Sequence, residues 1–202
     1  QSYTLTFPTS APSANKALIT DGSGNLSFGN AGGLNLLLNA TISSSVSEYD
    51  ISSTYINSTY DNYLLLFYLL PVSDSQDLRA RIFESGSVVT ATKYAFELGA
   101  NSSSSYQNNN AVDFFRFNYT AIGNASGEGT TGALTLQNVN STTACFCYSG
   151  QSNSYSATSV HTSQNNGGSL LVSDRNVVVN GFRFYFSGGN IASGTVKLYG
   201  IV

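Results

Sequence analysis

Two segments of this chain alternate residue by residue, and that period restricts what they can fold into. In Leu78-Arg-Ala-Arg-Ile-Phe83, Leu78, Ala80 and Ile82 fall on one side of an extended backbone, with Arg79, Arg81 and Phe83 on the other. In 182–186, Phe182, Phe184 and Phe186 share a face opposite Arg183 and Tyr185. A helix would scatter these residues around its axis, whereas a strand sorts them onto a covered and an open face. The run YLLLFYLL at 63–70 is apolar at every position, which predicts a central strand with both faces covered.

The same reading extends along the chain. Strands are expected at 34–42, 60–70, 77–84, 90–98, 114–119, 133–139, 142–148, 169–173, 177–187 and 194–202, separated by turn residues. Ser, Thr, Asn, Gly and Tyr supply most of the polarity, and these residues favour strands and turns over helix. Many short strands without intervening helices predict an all-β chain, an antiparallel, jelly-roll-like β-sandwich over 34–202. Phe182, Phe184 and Phe186 are expected to pack inward with Leu65 and Phe67. Three stretches interrupt the pattern: 99–110, 149–168 and the Gly-rich 123–132. The first two lack apolar periodicity and are expected to be exposed loops.

Residues 1–33 are expected to form a separate N-terminal linker and hairpin, a segment for oligomerisation or attachment. Tyr3-Thr-Leu-Thr-Phe7 alternates and ends at Pro8, and Pro8 and Pro12 frame a Ser/Thr/Ala linker. Ala17-Leu-Ile-Thr20 and Asn25-Leu-Ser-Phe28 flank Asp21-Gly-Ser-Gly24, whose glycines suit a tight hairpin turn. Asn30-Ala-Gly-Gly33 closes the segment. So short a piece cannot bury its own apolar residues, which predicts pairing with other copies of the chain. Asp21, Ser23 and Asn25 have the alternate spacing of a calcium loop but too few carboxylates, so a plain turn is expected. The chain starts at Gln1 and contains no Met, which suggests either a removed leader or a further N-terminal portion.

Charge excludes several functions. Only 9% of residues are charged, the net charge is −3, and the eight Lys and Arg are scattered. That gives no electrostatic footprint for nucleic acid or an anionic membrane. The longest apolar stretch, 64–71, is too short to span a bilayer as a helix, so no membrane insertion is expected. Cys145 and Cys147, at i and i+2, read as two small buried hydrophobes on one strand face; zinc would need more ligands than His161 can add. No cofactor or metal is expected.

Catalysis finds little support. His161 is the one histidine and has no motif linking it to a nucleophile and an orienting carboxylate. Carboxylate pairs for glycoside cleavage are Glu48 with Asp50 and Asp74 with Asp77, both in positions that suit solvated strand or turn. The Asn-X-Ser/Thr sequons at Asn25, Asn39, Asn57, Asn101, Asn118, Asn124 and Asn140 follow from composition.

Two patches carry a family resemblance. Leu5-Thr-Phe-Pro8 followed by ALITDGSGNLSFG at 17–29 resembles the short repeat of bacteriophage tail-fibre and other virion appendage proteins, which commonly occurs in trimeric shafts or collars. GFRFYFSGGNIASGTVKLYGI at 181–201 looks like the closing hairpin of a β-sandwich domain in such proteins. Tyr60-Asp-Asn-Tyr63 and Lys93-Tyr-Ala-Phe96 are similar to that domain's interior. The resemblance implies a non-enzymatic homotrimer on the virion surface, in contact with other virion proteins. It implies either a fibre tip that attaches to a host-surface glycan or protein, or a decoration, head-fibre or collar protein. A glycan-cleaving depolymerase is the least supported alternative. Receptor contact is assigned to the polar stretches through Tyr106, Gln107, Asn108, Tyr155 and His161.

Overall fold

A computed structural model describes residues 4–11, 16–29, 32–100, 105–158 and 160–202. Tyr3, Pro12, Asn30, Ala31 and residues 101–104 of the first polar stretch lie outside the described residues. The strands in chain order are β1 (Ala17–Thr20), β2 (Leu26–Gly29), β3 (Leu34–Ile42), β4 (Glu48–Ile51), β5 (Asn62–Pro71), β6 (Leu78–Glu84), β7 (Ser87–Val88) and β8 (Tyr94–Ala100). They continue with β9 (Ser105–Val112), β10 (Phe115–Arg116), β11 (Gly129–Gln137), β12 (Cys147–Tyr155), β13 (His161–Leu170), β14 (Val179–Phe186) and β15 (Ile191–Ile201). Among the described residues, one 3-10 turn, Val172–Asp174, accompanies them.

The fold is an all-β antiparallel sandwich. One layer is an eight-stranded sheet in the order β3-β15-β5-β11-β12-β13-β8-β9. The other has the order β10-β6-β14-β4, with β7 against β6. The alternation seen in the sequence decides which faces meet. Leu78, Ala80, Ile82, Phe182, Phe184 and Phe186 turn inward from the smaller sheet, and Tyr63, Leu65, Phe67 and Leu69 from the larger. Phe67 and Phe184 meet across the layers with ring centroids 4.9 Å apart, and Phe117 stands edge-on to Phe184 at 5.9 Å. Such contacts add directional preference to the hydrophobic gain. Gly132, opposite Phe67 in the ladder, leaves room for that ring: a Cβ there would lie 2.4 Å from Phe67 Cζ.

The sequence reading needs four corrections. The polar stretches 99–110 and 149–168 are not loops. Where described, they contain most of β9, β12 and β13, three of the eight strands of the large sheet. Their inward positions Ser152, Ser154, Thr162, Gln164 and Asn166 are buried but polar, so no apolar period betrayed them. Second, 114–119 shortens to β10. Beyond it the backbone bonds to side chains: the Tyr119 N–H donates to Gln164 Oε1 at 2.8 Å, and the Phe117 carbonyl accepts from Ser152 Oγ and Gln164 Nε2. Third, 142–148 is irregular until β12 begins at Cys147, and 169–173 is the end of β13 followed by the 3-10 turn. Fourth, the cysteines are half-buried rather than core residues. Phe146 and Tyr148 take the buried positions, as their larger apolar surfaces favour, and Cys147 faces outward with its thiol 3.2 Å from Gln137 Oε1. The run at 63–70 is β5, flanked by β15 and β11; its outer residues Leu64, Leu66, Tyr68 and Leu70 are half-buried.

β1 and β2 pair in register from Ala17↔Gly29 to Thr20↔Leu26. Thr6 bridges Asn25, and the Leu26 N–H donates to the Thr6 carbonyl at 3.0 Å. Asp21 forms the expected turn: its carboxylate accepts the Ser23 and Asn25 N–H groups and the Asn25 amide. The Asn25 side-chain bond, and then the Ser23 bond, hold the Asp21 carboxyl below its usual range.

Candidate functional site

The outer faces of the two sheets differ in chemistry. On the smaller sheet the outward row Arg116–Arg79–Tyr185–Glu48 runs across four strands, beside the row Arg81–Arg183–Asp50. These charges are paired with one another. Arg183 grips Asp50 through Nε and Nη2 at 2.6 and 2.7 Å and reaches Glu48 at 2.9 Å. The Asp50 bond, partly offset by burial, keeps the Arg183 guanidinium above its usual pKa. Arg81 bonds Asp113, and Arg116 sits 2.7 Å from Asp77. Arg79 lies 4.0 Å over the Phe114 ring. The carboxylates considered for glycoside cleavage are therefore engaged: Glu48 and Asp50 by Arg183, Asp77 by Arg116, and Asp74 by the Asn124 N–H.

The large sheet presents rows that run from apolar to amide. One is Leu36–Tyr199–Leu64–Thr135–Ser149–Gly167–Glu97–Asn108. The next is Lys197–Leu66–Ala133–Gln151–Asn165–Gly99–Tyr106. A third is Thr195–Tyr68–Thr131–Asn153–Ser163. Strands β3, β15 and β5 thus carry the more apolar half, with Leu34 and Leu36 each 51% exposed and Thr195 and Lys197 as outward polar residues of β15. Strands β12, β13, β8 and β9 carry amides, hydroxyls and exposed tyrosines.

The small side chains of these rows leave a furrow. A cavity of about 420 Å³ lies over Leu66, Tyr68, Ala133, Gln151, Asn153 and Lys197, within the roughly 300–1,000 Å³ usual for small-molecule sites. It continues into a recess of about 180 Å³ bounded by Tyr68, Glu128, Thr131, Asn153, Tyr155 and His161. Gly129 opens that recess. Its φ is +96°, and a Cβ there would lie 2.9 Å from the Leu69 carbonyl and 3.1 Å from the Tyr68 ring. Tyr68 is fixed by its hydroxyl, which donates to the Glu128 carbonyl at 3.0 Å. Tyr155 and His161 face each other as a cross-strand pair with ring centroids 5.2 Å apart. Among the described residues, no side-chain hydrogen bond within the chain engages the Asn153 amide or the His161 ring.

The five residues assigned to receptor contact form two groups. Tyr155 and His161 lie together at the recess. Tyr106 and Asn108 lie outward on edge strand β9, where Asn108 donates to Glu97 at 3.0 Å, and Gln107 faces the opposite side of that strand. From Tyr106 the path to His161 crosses two strands and runs four residues along β13. At strand spacings that is roughly 16 Å. Tyr106 and Gln107 instead border a second cleft with Asp77, Arg79, Phe114 and Arg116. The sequence reading did not select Tyr68, Glu128, Thr131 or Asn153. Tyr68 was hidden inside an apolar run, Glu128 and Thr131 come close only through the β5-β11-β12 register, and Asn153, two residues before Tyr155, was missed because 149–168 was read as a loop.

No family profile, curated protein or solved structure matches the chain.

Proposed function

We propose that this chain is a structural protein of a virion surface, a homotrimeric fibre tip of the bacteriophage appendage type that attaches the particle to its host. The carrying observation is the N-terminal segment. Leu18 (46%), Ile19 (41%) and Phe28 (37%) are exposed on the two-stranded hairpin, and Leu5 (45%) and Phe7 (66%) flank Thr6, which bridges to it. A hairpin with its apolar side chains in water is marginal by itself and gains stability when copies bury those side chains against each other. The sequence resemblance at 5–8 and 17–29 supplies the trimeric arrangement. The amide-rich half of the large sheet supplies a surface for host contact, and the carboxylates considered for glycoside cleavage are held by arginine or backbone.

The apolar half of the large sheet favours a second reading, a decoration or head-fibre protein seated against other virion proteins through Leu34, Leu36, Leu64 and Leu66. Electron microscopy of the parent particle, with antibody against this chain, separates the two. Label at the distal end of a tail fibre is the expected result. Label over the capsid would favour the second reading, and unlabelled particles would reject both.

A further inference from the structure

The recess at the β12–β13 end of the large sheet has the features of a carbohydrate subsite, and we propose that it binds one ring of a neutral glycan. This rests on the attachment reading and names the ligand class and the residues. Tyr155, 43% exposed, and His161 offer aromatic surface at one side of the recess, and Tyr68 forms another, with Gly129 and Thr131 between. Aromatic faces take the C–H face of a sugar ring, while a few placed polar groups fix its hydroxyls. Asn153 brings an amide with both donor and acceptor capacity, and the carboxylate of Glu128 accepts hydroxyl hydrogens. Glu128 also sets the charge preference. The Ala125 N–H donates to Glu128 Oε2 at 2.8 Å, which holds the carboxylate against the 123–125 turn beside the recess that Glu128 lines. A fixed carboxylate there repels uronic or sialic acid and favours an uncharged sugar. The recess is short, but it opens into the longer furrow through the shared residues Tyr68, Thr131 and Asn153. Further rings of an oligosaccharide would therefore run along the row Lys197–Leu66–Ala133–Gln151. The Gln151 amide, which donates to Asn165 Oδ1 at 3.1 Å, lies on that path.

The test uses the full chain with a panel of neutral gluco-, galacto- and manno-oligosaccharides and matching uronate oligosaccharides. Binding is read by saturation-transfer NMR and amide-shift mapping. At least one neutral oligosaccharide is expected to bind, with shifts at Gly129, Asn153 and His161, and little change between low and high salt. Tyr155→Ala is expected to weaken it tenfold or more, with an unchanged melting temperature because the side chain is exposed. Glu128→Gln is expected to retain the neutral ligand and to gain uronate binding. Absence of neutral binding, binding of uronates alone, shifts confined to the cleft beside Tyr106, or an unchanged affinity in Tyr155→Ala would each overturn the assignment. Virions that carry the chain at fibre tips but fail this assay would remove the subsite and leave the attachment reading. Oligosaccharide binding without virion labelling would do the reverse.

Discussion

Phe184 shows how much of this protein depends on single aromatic side chains. It is fully buried, touches Phe67 across the layers, and also meets Phe117 and Phe182. Phe184→Ala should cost about 3–5 kcal/mol, the range for a buried aromatic that leaves a cavity; denaturant unfolding measures it. Buried tyrosines give a second, pH-dependent outcome. Burial pushes the Tyr94 and Tyr148 hydroxyls well above the usual tyrosine range, with smaller upward shifts by burial at Tyr49, Tyr63 and Tyr185. A raised folded-state pKa means the unfolded chain loses these protons first. The stability they contribute is complete below the ordinary tyrosine value of 10.0 and declines as pH rises above it. A titration followed by tyrosinate absorbance should show the Tyr94 and Tyr148 hydroxyls ionising only as the fold opens. A single-stage rise with the fold intact would contradict the burial assignment.

At the scale of strands, legibility followed the chemistry of the inward face. β6 and β14 were readable because Leu78, Ala80, Ile82, Phe182, Phe184 and Phe186 are apolar, and β5 and β15 for the same reason. β12 and β13 were not, because Ser152, Ser154, Thr162, Gln164 and Asn166 occupy inward positions that period-based reading expects to be apolar. These residues are tolerated inside because they bond to one another, to the Phe117 and Tyr119 backbone and to the Thr120 hydroxyl. Gln164 donates to Ser152 Oγ at 2.9 Å, Asn166 donates to the same oxygen at 2.9 Å, and Thr120 and Thr162 share a hydrogen bond of 2.9 Å. Replacing Gln164 by Leu removes the acceptor for the Tyr119 N–H and one donor to the Phe117 carbonyl. The expected loss is about 1–3 kcal/mol for each buried group left unpaired. Hydrogen exchange should show the Tyr119 amide losing protection before those of β6 and β14, and equal loss everywhere would mean the network holds no local segment.

The whole molecule combines a self-neutralised charged face, a face graded from leucine to amide, and an apolar hairpin. The resemblance-bearing segment at 17–29 became the β1–β2 hairpin. The segment at 181–201, expected as a closing hairpin, became most of β14 and β15, which lie in different sheets, so its strands were legible in the sequence and their pairing was not. Of the candidate site, Tyr155 and His161 were legible as aromatic residues in a polar stretch. Tyr68 and Thr131 were not, since only strand register joins residues so far apart in the chain, and Asn153, two residues before Tyr155 on β12, was missed because its stretch was read as a loop and not as a strand. The exposed leucines, phenylalanines and isoleucine of the N-terminal segment are hard to reconcile with an isolated protomer. Native mass spectrometry of the intact chain, beside a variant lacking residues 1–33, tests that claim most directly. The account predicts a mass three times that of the 21.4 kDa protomer for the intact chain, and a folded species of lower order for the shortened one. An intact chain that remains a stable monomer at micromolar concentration would contradict it.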